Sequence, residues 1–251
     1  MHFQLPKPLH GWRHFAGEVG IIVLGVLIAL SAQQIAQSFT DRAQLREAED
    51  AMRYELRDDN LPQAFIRAAA YPCYSTQLDS IEAAVAAADR NTFAKLAKAY
   101  NPVFRTWDDE AWKTALSSQV LVPAGSKRIT KWSLAYVAIP ILRQTSKQES
   151  DALPYLWARL DGAGPIPRDQ RQRLFQVIAN LRLFNQQMAV SSLLFMNVQG
   201  RRGLSLSAQR KRELLMEARE FYGSCVTEPR PEQLNMKSQI SFATNFPTHE
   251  P

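Results

Sequence analysis

The sequence predicts an all-α protein with one N-terminal transmembrane helix that continues into a helical stalk, followed by a bundle of about six helices. Three observations lead to this fold class. Only 10 of the 251 residues are glycine, Val and Ile form no alternating runs, and the helix formers Ala, Leu, Gln, Arg and Glu recur throughout. The hydrophobic fraction of 46% is that of a folded protein, so we expect a packed core.

The apolar segment near the N-terminus is expected to cross a membrane. Residues 19–40 carry no charge, and the 21 residues of Val19–Phe39 cover a hydrocarbon layer of roughly 30 Å at about 1.5 Å per residue. Two alternatives are a buried core helix and a signal peptide cleaved near the small residues of Ala29–Ala32. The helical pattern runs on through Ala32, which favours a retained anchor.

The remaining organisation follows from charge and proline. A stalk dense in Glu and Arg leaves the span, and Asn60-Leu61-Pro62 is expected to end it because proline interrupts helices. The predicted segments are a leader at 1–16, the transmembrane helix at 17–40, the stalk at 41–60, the helical bundle at 61–226 and a mostly irregular tail at 227–251.

Small residues follow one face of the predicted span at spacings of four, three and four. They are Gly25, Ala29, Ala32 and Ala36, and Glu18 extends the same face. Such a stripe lets membrane helices approach closely, so we expect a membrane-protein partner or a homo-oligomer in addition to lipid. A carboxylate at the edge of the hydrocarbon layer is costly unless paired, so Glu18 is either a functional group or a residue at headgroup level.

The anchor also resembles a known family. Gly17-Glu18, Gly25, Leu27-Ile28-Ala29-Leu30 and the glutamine-containing exit resemble the N-terminal anchor of a family of bacterial single-span membrane proteins of unknown function. Residues 112–118, with a tryptophan and a leucine followed by two serines, are similar to a second feature of that family, although the Asn-Asn-Trp that often ends its span is missing here. The resemblance implies topology and no particular chemistry.

The orientation is predicted from the leader. Lys7 and Arg13 precede the span and Arg42, Arg46 and Arg53 follow it, so the positive-inside comparison is close to a tie. A short leader stays readily in the cytoplasm, whereas a long domain is translocated largely regardless of its charge. We therefore expect a single-pass protein of the bacterial inner membrane, with a cytoplasmic N-terminus and a periplasmic domain.

The positive charge is concentrated in the second half of the chain. Residues 41–124 contain 10 basic and 13 acidic residues, whereas residues 125–221 contain 16 basic and 7 acidic ones. The two halves neutralise each other within one bundle, or they leave a basic face for an anion or an anionic lipid. Candidate residues for such contact are Arg201, Arg202, Arg210, Lys211 and Arg212. No nucleic-acid-binding motif accompanies the charge, so nucleic acid is not an expected partner.

Two cysteines, Cys73 and Cys225, lie far apart and form no C-x-x-C motif, so neither a zinc site nor thioredoxin-like chemistry is expected. In an oxidising compartment they would form one disulfide that ties the C-terminal segment to an early helix. The alternative is two buried free thiols.

Hydrophobic periodicity identifies the longest helix of the bundle, from Pro167 to about Val198. The side chains expected to form its buried stripe are Leu174, Ile178, Leu181, Phe184, Met188 and Phe195. A shorter helix is predicted at 107–120, where Thr106 and Asp109 resemble a capping box. The three acids at 108–110 suit the positive end of a helix dipole better than a metal site.

The sequence offers no recognisable catalytic or cofactor-binding apparatus. Its four histidines, at positions 2, 10, 14 and 249, lie near the termini, which disfavours His-dependent nucleophiles and metal sites in the domain. The leading hypothesis is a non-enzymatic anchored module that acts by binding, as an accessory or assembly subunit. The alternatives are an envelope-polymer hydrolase that uses paired carboxylates and a ligand-sensing extracytoplasmic domain.

Overall fold

The computed structural model describes residues 12–102, 106–157 and 164–230. These residues form α-helices and contain no strand, which confirms the all-α prediction. The α-helices are α1 Trp12–Tyr54, α2 Leu61–Ala69, α3 Tyr71–Ala86, α4 Arg90–Ala99, α5 Glu110–Ser117, α6 Ser126–Tyr136, α7 Ile139–Trp157, α8 Arg168–Arg201 and α9 Ala208–Tyr222. The predicted leader up to residue 11 and the predicted tail from residue 231 lie outside the described residues.

The N-terminal part of α1 is long and apolar enough to span a membrane. An 18-residue window of this helix has a mean hydropathy of 2.2, and none of that window is buried inside the protein. Side chains such as Ile21, 74% exposed, and Phe39, 64% exposed, contact no core. A core helix of a soluble protein would be mostly buried, so the buried-helix alternative is excluded for this segment.

The C-terminal part of α1 belongs to the bundle. Leu45 and Met52 of α1 lie in the hydrophobic core, as does Leu56 just after it, so the stalk is packed against the domain from residue 45 onward. The predicted end at Asn60-Leu61-Pro62 was wrong. The helix passes through a π-helical turn, Glu55–Asn60, into α2. Pro62 falls in the first turn of α2, where a missing backbone N–H is tolerated.

The bundle has two main core clusters. The cluster beside α1 joins Met52 and Leu56 to Trp132, Leu142 and Phe195. The second cluster contains α3 and α4 but no residue of α1, and it includes Leu78, Ile81, Phe93, Leu153 and Ile178. α7 and α8 contribute to both clusters, which makes them the two helices that hold the bundle together along its length.

The C-terminal segment is fixed to α2 and α3. Val226 is fully buried in a third cluster with Phe65 and Leu214, and the backbone N–H of Thr227 donates to the carbonyl of Ala69 at 3.3 Å. Cys73 and Cys225 are joined by a disulfide, with their Cα atoms 5.2 Å apart. This bond links α3 to the segment after α9.

Candidate anion-binding site

The predicted basic residues at the end of α8 lie beside a cavity. α8 ends at Arg201, and Gly203 follows with φ = +77°, a conformation that glycine adopts at little cost. The N–H of Leu204 donates to the carbonyl of Gln199 at 3.0 Å and the N–H of Gly203 to that of Gly200 at 3.1 Å. These two bonds make a Schellman motif, which stops α8 sharply and fixes the residues before and after Gly203.

The cavity has a volume of about 600 Å³ and is formed by α1, α6 and the end of α8. Among the described residues, six of its lining side chains are cationic and one is a carboxylate. The lining consists of Glu49, Arg53, Lys127, Arg128, Lys131, Trp132, Arg201, Arg202 and Leu204. This volume lies in the range of sites for small molecules, and the excess of cations favours an anionic ligand.

The carboxylate, Glu49, is tied to the wall of the cavity. Glu49 is 2% exposed and accepts hydrogen bonds from the guanidinium of Arg128 and, at 3.1 Å, from the indole N–H of Trp132. Arg53, one turn further along α1, lies 3.6 Å from the same carboxylate. Glu49 therefore holds α6 against α1, and the described lining of the cavity contains no free carboxylate.

Trp132 is the second fixed element of the wall. The guanidinium carbons of Arg53 and Arg202 lie 5.9 Å and 5.4 Å from the centre of its ring, within the range of cation–π interactions. Arg202 also donates to the backbone carbonyl of Lys131. Burial lowers the pKa of Arg202, although Tyr136 nearby opposes that shift. Arg202 is thus a half-buried cation without a carboxylate within 4 Å in the described part of the chain.

Lys127, Lys131 and Arg201 are exposed cations that face the cavity. Within the described ranges, no carboxylate lies within 4 Å of any of the three. Lys127 stands in the first turn of α6, where the helix dipole disfavours positive charge. Arg201, at the C-terminus of α8, is favoured by the dipole of that helix. The helix dipole therefore explains a cation at the position of Arg201 but not at that of Lys127.

The basic residues of α9 lie elsewhere. Arg210, Lys211 and Arg212 do not line the cavity. The Ser207 hydroxyl caps α9 by accepting from the N–H of Arg210 at 3.1 Å, and the Arg210 side chain lies 3.2 Å from Glu213. The group of five basic residues singled out in the sequence is thus divided between the cavity and an ordinary helix surface.

The sequence did not identify four basic residues of the cavity as candidates for anion contact. They are Arg53, Lys127, Arg128 and Lys131. A signal was present, since residues 127–131 place three cations at the start of α6, much as residues 210–212 do at the start of α9. The sequence does not show that α1, α6 and the end of α8 meet in space. This contact places the cluster of α6 at the cavity and leaves the cluster of α9 outside it.

The cavity lies close to the predicted membrane surface but beyond it. Glu49 and Arg53 follow Phe39 by 10 and 14 residues, or about 15 and 21 Å along a helix. The headgroup layer extends only about 5–8 Å from the hydrocarbon. If α1 crosses the bilayer up to Phe39, the cavity faces water above the headgroups.

The other candidate sites are placed as follows. Gly25, Ala29, Ala32 and Ala36 are exposed on α1, and a Cβ added to Gly25 would meet no atom within 4 Å. Glu18 is also exposed on that helix. The predicted capping box at 106–109 was wrong, because α5 begins only at Glu110 and its N-cap residue, Asp109, makes no side-chain cap hydrogen bond. The N–H of Ala111 in the first turn donates to the Glu55 carboxylate at 2.9 Å. No group of three His, Cys, Asp or Glu able to hold a metal occurs among the described residues.

Comparisons with protein-family models, with curated proteins and with solved structures found no significant match to this chain. The resemblance of the anchor to a family of bacterial single-span proteins therefore stays a prediction.

Proposed function

We propose that the chain is a membrane-anchored helical binding module, an accessory or assembly subunit whose domain binds an anionic partner in the cavity beside α1. One observation carries this proposal: six cations surround a cavity of about 600 Å³ whose one described carboxylate, Glu49, is already bound by Arg128 and Trp132. Unpaired cations that converge on one concave site repel each other in the absence of an anion, which supports a binding role.

The hydrolase alternative has less support. A glycosidase needs two carboxylates that flank the substrate, and the described wall of the cavity offers only Glu49. Burial raises the pKa of Asp59, and the nearby carboxylates of Asp108 and Asp58 add to that shift. Neither Asp59 nor Asp108 lines the cavity. Binding is therefore the function that the arrangement favours.

The proposed location is the bacterial inner membrane, with a cytoplasmic N-terminus and a periplasmic domain. The Cys73–Cys225 disulfide supports export of the domain, because disulfides persist in oxidising compartments. The disulfide is independent of the charges around the span. An alkaline phosphatase fused after residue 251 should be active in cells, and a cytoplasmic fluorescent fusion at the same point should be dark. The opposite result would reverse the orientation.

Anion binding is tested on the full chain in nanodiscs of phosphatidylcholine. Its melting temperature should rise with added anions such as sulfate or phosphate. The rise should be lost in the double variant Lys127→Met/Lys131→Met and kept in Lys211→Met, which removes a lysine from the first turn of α9. Equal rises in all three proteins would mean that anions act on the surface in general and not in the cavity.

The proposed partner within the membrane is a second transmembrane helix, from another protein or from a second copy. The exposed face of small residues on α1 supports close packing there. Gly25→Leu should weaken self-association or capture of a partner in mild detergent, at a cost on the order of 1–2 kcal/mol. Val23→Leu, on the opposite face, is the matched control. Equal effects of the two changes would contradict helix packing on this face.

A further inference from the structure

We infer that the ligand of the cavity is a phosphate-type oxyanion, with at least two negative charges and three acceptor oxygens, and that Lys127, Lys131 and Arg201 bind it directly. This inference rests on the proposed function, since it names the chemical class of the anion. It divides the six cations into a group that shapes the wall and a group that binds the ligand. Each group can be tested separately.

Arg53, Arg128 and Arg202 form the fixed group. Two of them bind Glu49, and Arg202 is held between the Trp132 ring and the backbone carbonyl of Lys131. Their contacts with the protein restrain their side chains before any ligand arrives. They are positioning residues that build the wall and raise its positive potential.

The binding group is Lys127, Lys131 and Arg201. Each is exposed and lines the cavity, and none has a carboxylate partner in the described ranges. The ammonium groups of Lys127 and Lys131 are available to donate hydrogen bonds to a ligand. The Nε of Arg201 donates to the side-chain oxygen of Asn197 at 3.5 Å, so its two terminal nitrogens are the ones that face a ligand. Lysine binds phosphate as a point charge, whereas the planar arginine fork can donate two parallel hydrogen bonds to oxygens of one phosphate.

Three free cations favour phosphate over a simple carboxylate. A phosphoryl group carries about −1.5 to −2 charges and three strong acceptor oxygens, whereas a carboxylate brings one charge and two oxygens. A single carboxylate would leave two of the three cations without a counter-charge. A doubly charged oxyanion, or two linked phosphates, comes closer to balancing the three positive charges.

The position of the cavity favours a ligand that comes from the water and not from the bilayer. The residues of α1 in the wall stand about 15–21 Å beyond Phe39, and glycerophospholipid phosphates lie within about 5–8 Å of the hydrocarbon. The electrostatic reach of the headgroups is about 8 Å at physiological ionic strength. We therefore assign the cavity to a soluble phosphate-bearing ligand and not to the headgroup of an ordinary phospholipid.

The test is calorimetric titration of the full chain in phosphatidylcholine nanodiscs with inorganic pyrophosphate. The variant Lys127→Met/Lys131→Met should bind about tenfold or more weakly than the unchanged chain. Lys211→Met should bind as the unchanged chain does, because its lysine lies on α9 outside the cavity. Both substituted lysines are exposed, and thermal melting verifies that the variants remain folded.

Two further titrations decide between ligand classes. Hexaglutamate should bind more weakly than pyrophosphate. If it binds equally well in the cavity, the phosphate class is wrong and the proposed anion-binding function survives. If neither probe binds, or if both bind all variants equally, the proposed function fails as well.

The source of the phosphate is tested with nanodiscs that contain phosphatidylglycerol. At an ionic strength of about 0.15 M, where charges are screened beyond about 8 Å, the affinity for pyrophosphate should be the same as in neutral nanodiscs. A large loss of affinity in the anionic discs would show that lipid phosphates occupy the cavity, which would overturn the assignment to a soluble ligand.

Discussion

A cation in the interior of the bundle is paired with a carboxylate, whereas the exposed lysines of the cavity beside α1 are not. Inside the bundle, Arg67 has a side chain only 3% exposed and lies 2.6 Å from Glu149, which is 1% exposed. Its guanidinium carbon stands 4.7 Å from the centre of the Tyr74 ring. In the cavity, Lys127 and Lys131 are exposed and have no carboxylate within 4 Å among the described residues.

The comparison distinguishes a charged pair that stability requires from charged residues that stability does not require. A buried cation is stable only with a counter-charge, so Arg67 must have Glu149. An exposed lysine needs no partner, so the stability of the fold does not explain why Lys127 and Lys131 line the cavity. Burial raises the pKa of Glu149, although the Arg67 guanidinium beside it opposes that shift. The interior pair therefore serves structure, whereas the cavity is available for a ligand.

The largest effect is expected at the interior pair. Arg67→Met leaves the Glu149 carboxylate buried without its counter-charge and should lower the free energy of unfolding by about 3–5 kcal/mol. Urea denaturation followed by far-ultraviolet circular dichroism measures this change. The double variant Arg67→Met/Glu149→Leu should recover most of the loss, since no charge is then left buried. A double variant as unstable as Arg67→Met would contradict this account of the pair.

A smaller effect is expected where α8 ends beside the cavity. Gly203→Ala forces alanine into a positive φ and should cost about 1–2 kcal/mol. Gly200→Ala is the matched control, because residue 200 is helical and a Cβ there would meet no atom within 4 Å. The control should leave stability unchanged or raise it by less than about 1 kcal/mol. Thermal melts that rank the two variants in the opposite order would refute the Schellman assignment.

An intermediate case between the two regions is Asp109, which is buried but paired with partly exposed cations. Burial alone would raise the pKa of Asp109, but hydrogen bonds from Arg143 and Lys113 keep it below its usual value. Because its folded pKa is lower than its unfolded pKa of about 3.9, Asp109 stabilises the protein above that pH. This stabilisation should disappear as the pH falls through the folded pKa.

The measurement for Asp109 is the difference in unfolding free energy between the unchanged chain and Asp109→Asn at a series of pH values. The difference should be on the order of 1 kcal/mol at pH 7 and should shrink below pH 4. A difference that is constant across this range would mean that the ionised carboxylate is not the stabilising species.

The smallest effect on stability is expected in the cavity itself. Lys127→Met/Lys131→Met should change the free energy of unfolding by no more than about 0.5 kcal/mol, or should raise it, because it removes mutual repulsion. The same variant should lose anion-induced stabilisation. Urea denaturation with and without pyrophosphate separates these effects. A loss of stability comparable to that of Arg67→Met would make these lysines structural.

Much of the fold could be predicted from helical periodicity. Leu174, Ile178, Leu181, Met188 and Phe195 were expected on the buried face of α8, and all five are buried. Phe184 was expected there too but is only partly buried. Its place in the core is taken by Asn185, whose amide donates to the Tyr71 carbonyl at 3.3 Å and the Ser75 hydroxyl at 3.2 Å. Partners more than 100 residues away leave no local signal.

The candidate site was less accessible to sequence reasoning. The sequence does not distinguish the basic residues at the end of α8 from those in the first turn of α9. Only the residues at the end of α8 line the cavity. The pairing of Glu49 with Arg128 and Trp132 joins positions about 80 apart in the chain. Charge clusters can be counted in a sequence, but whether they have counter-charges depends on which helices meet.

The claim that the cavity binds a phosphate-type oxyanion is tested most directly by locating an anion. Crystals of the full chain grown with tungstate, a doubly charged tetrahedral oxyanion, should give anomalous density between Lys127, Lys131 and Arg201. The account predicts one strong peak in the cavity, lost in crystals of Lys127→Met/Lys131→Met. Tungstate bound only at Lys211 or other surface cations, with an empty cavity, would contradict it.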